Sequence, residues 1–111
     1  MNSSQASSAY VALNDDEKVA LLGRVSFDLT IAFRDLTAEA SLTQEQIDKL
    51  RAINELQHVL LGQLLAHQGR KTARYPDADF FAMLVRMARS HALLQPVQQS
   101  LIQQMQKTAS A

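Results

Sequence analysis

Two helix-start signals of one kind, each heading a long stretch patterned every three and four residues, constrain this chain more than any other feature. Asn14 with Glu17, and Thr43 with Gln46, have capping-box spacing, in which each member hydrogen-bonds the other's backbone N–H. After the first, Val19, Leu22, Val25, Leu29, Ala32 and Leu36 recur at helical steps to about Ala38. After the second, Ile47, Leu50, Ile53, Leu56, Leu60 and Leu64 recur to about Gln68, and Gly69 stands where a C-terminal cap belongs. Each pattern predicts a helix of about 24 residues, about 36 Å long at 1.5 Å per residue. Two helices of equal length with a short link between them predict an antiparallel hairpin.

A third helix is expected from Pro76, which suits a first helical position, with Asp77 and Asp79 complementing the positive end of the helix dipole. Phe80, Leu84, Met87, His91 and Leu94 form its stripe, flanked by Phe81, Met83 and Val85. Pro96 interrupts the pattern, and Val97, Leu101 and Met105 continue it. An interior proline costs about 3 kcal/mol, which favours a break and a fourth, shorter helix over a kink. The expected fold is therefore all-α. It is an antiparallel bundle of three long helices plus a shorter C-terminal helix after Pro96, spanning residues 14–107. Residues 1–13 read as a flexible tail ending in Tyr10, Val11 and Leu13, and residues 108–111 as a second tail.

Composition excludes several function classes. There is no Cys, hence no disulfide, thiolate metal site or Cys nucleophile. The glycines are Gly23, Gly62 and Gly69, too scattered for a phosphate loop, and no Gly-x-Ser-x-Gly elbow occurs. Ser90 and His91 are helix neighbours whose side chains point about 100° apart, a poor geometry for sharing a proton. The Ser-rich start lacks the basic and apolar regions of a signal peptide. The longest uncharged stretches, 56–69 and 90–106, are too short and too polar for a membrane span of about 20 residues. Cytoplasmic residence is the expectation. Lys plus Arg and Asp plus Glu each total 11, a neutral balance that argues against a protein built to grip nucleic acid. The neutrality hides a dipole: residues 1–56 hold nine acids and five bases, residues 57–111 two acids and six bases. Intramolecular docking of an acidic on a basic half explains it, as does head-to-tail association or an acidic partner.

His58 is the side chain with the most alternatives. One reading makes it a partly buried helix residue whose ring nitrogen finds a local acceptor. A second follows from the run His58, Val59, Leu60, Leu61, Gly62, of the form H-x-L-x-G. That run resembles the centre of histidine phosphotransfer domains, which are all-α, of about this size, and carry H-x-L-K-G followed by a small residue. The resemblance implies that His58 accepts a phosphoryl group from a response regulator's aspartate and that Gly62 lets the partner approach. The family's Lys is replaced by Leu61, which removes the charge-neutralising half of the site. Its small residue is replaced by Gln63. A third reading takes Glu55 and His58 as the Glu-x-x-His half of a dimeric metal-carboxylate site, with Asp28 or Asp35 as further ligands. A surface ion pair with Arg51 explains Glu55 without metal. His67 suits the negative end of the second helix dipole, and His91 reads as a hydrogen-bonded residue of the third stripe.

The basic residues concentrate at Arg70, Lys71, Arg74, Arg86 and Arg89, a candidate interaction surface beside Tyr75 and Phe80. The patch is small and offset by acids elsewhere, so a solvated rim or an acidic protein surface suits it better than nucleic acid. Apolar residues exceed single stripes: Phe27, Ile31, Phe33, Val59, Leu65, Phe81, Met83 and Val85 all need cover. With no catalytic signature and no cofactor motif, the expected function is a small non-enzymatic protein-protein interaction module. Its partner is another protein or, through homodimerisation, itself, with no membrane role. The alternatives are phosphorelay through His58, and the shared metal site of Glu55 and His58.

Overall fold

In the computed structural model residues 3–90 are described, and they form four helices with no strand: α1 (Ser3–Ala12), α2 (Asp15–Thr37), α3 (Gln44–His67) and α4 (Asp77–Ser90). Both capping boxes form. Asn14 Oδ1 accepts from the Glu17 N–H at 2.8 Å while Glu17 Oε1 accepts from the Asn14 N–H at 3.0 Å. Thr43 Oγ1 accepts from the Gln46 N–H at 3.2 Å while Gln46 Oε1 accepts from the Thr43 N–H at 2.8 Å. The helices they start pack antiparallel, as their equal lengths predict. Leu21, Leu22, Val25 and Leu29 of α2 are buried, as are Ala52, Ile53, Leu56 and Leu60 of α3. Gln57 stitches the hairpin at its edge. Its amide donates to the Ser26 carbonyl at 2.8 Å, and its oxygen accepts from Ser26 Oγ at 2.8 Å.

Gly69 ends α3 as expected, with φ of 73°, a conformation that Gly adopts without steric cost. The Gly69 N–H donates to Ala66 O and the Arg70 N–H to Leu65 O, both at 3.0 Å, the paired bonds of a Schellman turn. The turn throws residues 70–76 back alongside α3, where Gln63 Nε2 donates to the Tyr75 carbonyl at 3.1 Å. The Phe80 N–H then donates to Pro76 O at 2.9 Å. Pro76 thus supplies the first helical carbonyl of α4, one place before the position expected. Phe80, Phe81, Leu84, Val85 and Ala88 form the buried side of α4.

The N-terminal segment departs from expectation. In place of a flexible tail, residues 3–12 form α1, which packs along α4. Its anchor is Tyr10, with Ala9 and Leu13 packed against the core beside it. Tyr10 is fully buried, its ring stacked on Phe81 with centroids 5.1 Å apart and tilted against Phe80 at 6.0 Å. α1 has almost no amphipathic pattern to announce it. The short helix after Pro96, His91 and the tail 108–111 lie outside the described residues. Of the apolar residues that needed cover, Phe81 and Val85 are buried, and Val59 and Met83 pack on the core's edge. Phe27, Phe33 and Leu65 remain exposed. No described helix is long and apolar enough to cross a membrane.

Truncating the Tyr10 anchor should remove most of the hold of α1. Tyr10→Ala is expected to lose about 3–5 kcal/mol, and Tyr10→Phe, which keeps the ring, about 1 kcal/mol. Urea unfolding followed by circular dichroism measures both. Equal losses in the two variants would show that the hydroxyl, and not the ring, carries the contact.

Candidate functional site

Polar side chains from all four helices converge at one end of the hairpin. Lys18 Nζ of α2 donates to Asp77 Oδ2 of α4 at 2.8 Å. Gln63 Nε2 of α3 donates to Asp77 Oδ1 at 3.0 Å. His67, near the end of α3, places Nε2 3.1 Å from Asp77 Oδ1 and Nδ1 3.1 Å from Asp15 Oδ1. The Tyr10 hydroxyl of α1 lies 3.3 Å from His67 Nε2, and the Lys18 ammonium sits 5.6 Å from the centre of the Tyr10 ring. The imidazole thus has a carboxylate at each ring nitrogen. Burial pushes the Asp77 carboxyl up. The hydrogen bonds from Lys18 and Gln63, with the charges of His67 and Lys18, outweigh that and hold it below the ordinary carboxylate value. Burial, then the charges of Asp77 and Asp15, pushes the Tyr10 phenol far above its usual value, so the hydroxyl keeps its proton. All of these groups are engaged with one another, which makes this a structural knot.

Beside the knot, and sharing Gln63 with it, lies a groove of about 60 Å³ lined by His58, Val59, Gly62 and Gln63 of α3 and by Lys71, Arg74 and Tyr75 of the link. A water takes about 10–15 Å³ of such space, so the groove holds a group of about four or five heavy atoms. His58 is exposed, contrary to the partly buried reading, and finds no local acceptor among the described residues. It lies two residues from both Leu56 and Leu60, about 160° from each at 100° per residue, and so points away from the core. Lys71 Nζ stands 3.8 Å from the place a Cβ on Gly62 would occupy. The Arg74 guanidinium sits 5.7 Å from the centre of the Tyr75 ring. No carboxylate lines the groove, and among the described residues neither Lys71 nor Arg74 has an ion-pair partner. The groove is therefore electropositive and open to an anionic group.

The other sequence candidates are dispersed. Arg70, Lys71, Arg74, Arg86 and Arg89 are all exposed, but only Lys71 and Arg74 share the groove, while Arg86 and Arg89 belong to α4. Glu55 is exposed on α3, and no Arg51–Glu55 ion pair forms. Asp35 is exposed, and Asp28 keeps Oδ2 buried without a hydrogen-bond partner. Among the described residues no three His, Asp or Glu side chains converge as a metal-binding set. On α2, Phe27 is 64% exposed, at a position opposite the buried stripe. Sequence reasoning passed over Lys18 and took Gln63 only as a departure from the phosphotransfer pattern. Comparison with known protein families, with curated proteins and with solved structures finds no match to this chain.

The lowered Asp77 carboxyl fixes the sign of a pH effect. A depressed carboxyl contributes stability that is present above its unfolded value, about 3.9, and is lost as pH falls through the folded value. Asp77→Asn should cost about 1–3 kcal/mol at pH 7. The gap to the parent should close as pH falls below 4. Thermal melts from pH 7 to pH 2 measure the gap, and a gap that stays constant would remove the ionised carboxylate from the account.

Proposed function

We propose that this chain is a small non-enzymatic helical interaction module that associates with itself through the outer face of α2. The observation that carries the reading is Phe27. Its ring is 64% exposed on a helix whose buried side is already complete. Full burial of such a side chain is worth about 1.5–3 kcal/mol, so the ring is a standing source of association energy. Gly23, one turn before it, leaves open space at its own Cβ position. Light scattering behind a sizing column, at two concentrations, tests this. The expected result is a mass that rises toward a dimer with concentration, and Phe27→Ser should return it to the monomer with helical content unchanged. A monomer at both concentrations overturns the reading.

One observation favours the phosphorelay reading as a second. The cation that H-x-L-x-G lacks on the helix is offered from the link, by Lys71 beside Gly62 and by Arg74 on the same groove. In this reading an aspartyl phosphate of a receiver domain gives its phosphoryl group to an imidazole nitrogen of His58, and the two cations offset the charge. Label from a phosphorylated receiver should then appear on the chain and vanish in His58→Gln. It should fall at least about 10-fold in Lys71→Ala. Unlabelled parent protein ends this reading and leaves the self-association reading untouched.

A further inference from the structure

Resting on the self-association reading, we infer that two copies of this chain meet through α2 laid antiparallel on itself, in the register that seats Phe27 of each copy against Gly23 of the other. The outer face of α2 carries Asp16, Ala20, Gly23, Phe27, Thr30 and Arg34, spaced four, three, four, three and four residues apart. At 100° per residue these positions fall within a stripe about 80° wide, turned away from Leu21, Leu22, Val25 and Leu29. The alternation of three and four is that of a two-helix seam. Its drift of about 20° per heptad is what a slight supercoil absorbs. All six residues are exposed except Gly23, which is half-buried.

The seam is self-complementary. A two-fold axis level with Val25 sets Gly23 opposite Phe27, Ala20 opposite Thr30, and Asp16 opposite Arg34, each pairing occurring twice. The one large apolar side chain meets the one residue without a side chain. A Cβ at Gly23 would touch nothing within 4 Å, so the hole is vacant within the monomer. Neither Asp16 nor Arg34 has an ion-pair partner among the described residues. Thr30 spends its hydroxyl on Ser26 O and Gln57 within its own chain, so the hydroxyl needs no partner across the seam.

Other arrangements of the same stripe are worse. Sliding the antiparallel register one heptad one way puts Phe27 against Asp16, and the other way puts Gly23 against Arg34. A parallel pair puts Phe27 on Phe27, Asp16 on Asp16 and Arg34 on Arg34, with like charges facing at both ends. An antiparallel isologous contact also closes at two copies and leaves no end to extend. One large apolar residue per copy places the contact in the class below about 1,200 Å², of weak and reversible complexes.

The chain has no cysteine, so an introduced pair reports the register directly. Within one helix, positions 20 and 30 are about 15 Å apart, beyond the roughly 7 Å between Cα atoms that a disulfide tolerates. Across the seam they face each other. Ala20→Cys with Thr30→Cys should give a covalent dimer on mild oxidation, while each single variant should not, since like positions are about 15 Å apart. A covalent dimer formed on mixing the single variants Ala20→Cys and Gly23→Cys, which cannot bridge within one chain, would instead report the register one heptad away and overturn the inference. Gly23→Gln, which improves helix propensity, is expected to weaken association at least 10-fold without lowering the melting temperature of the dilute protein. Association unchanged in Gly23→Gln would also overturn it. A parent protein that dimerises by light scattering without the expected cross-link refutes this register alone. A parent that stays monomeric refutes the self-association reading with it.

Discussion

The Asp77 carboxylate is the point on which the arrangement of the helices depends. Its two oxygens receive Lys18 from α2 and Gln63 from α3, with His67 alongside, and His67 in turn reaches Tyr10 of α1 and Asp15 of α2. Apolar burial holds the helices together, but it is non-directional and tolerates sliding. The polar knot does not tolerate sliding, because each partner has a fixed length and a fixed donor or acceptor. Partly buried ion pairs add little net stability over apolar substitutes, yet removing one partner leaves the other stranded. The knot therefore acts more on which packing is chosen than on how tightly it is held.

What was legible in the sequence was whatever is decided locally. The two capping boxes, the stripes of α2 and α3 and the Gly69 stop depend on residues a few positions apart, and the structure forms them where the spacing puts them. α1 was not legible, because Tyr10, with Ala9 and Leu13 beside it, is held by packing on the core, and the Ser-rich segment around Tyr10 has no period of its own. The knot was invisible for a related reason: its members come from four elements, and only their meeting gives them a role. His67 and Asp77 were noticed separately, as residues suited to the two ends of helix dipoles. His58 is the opposite case. Its angle from Leu56 and Leu60 already carried the information that it faces outward. The approach of Lys71 to Gly62 needed the Schellman turn, whose Gly was readable but whose return path was not.

The groove and the outer seam of α2 share a device. Each centres on a glycine in the middle of a helix, where Gly costs roughly 0.5–1 kcal/mol relative to Ala. Only Gly69 has a positive φ, so turn geometry explains neither Gly23 nor Gly62. What the two have in common is room: a Cβ at Gly62 would meet Lys71 Nζ at an ordinary 3.8 Å, and one at Gly23 would meet nothing within 4 Å.

The near-equal lengths of α2 and α3, 23 and 24 residues, work as a ruler. In an antiparallel hairpin they bring the start of the first helix level with the end of the second, which is why Asp15 and His67, 52 positions apart in the chain, meet at 3.1 Å. One extra turn in either helix would carry that meeting point about 5.4 Å along the axis, far outside hydrogen-bond reach, while leaving the apolar stripe nearly in phase. An inserted turn is thus checked by polar atoms that measure length, at the helix ends through Asp15 and His67 and midway along the hairpin through Gln57 and Ser26.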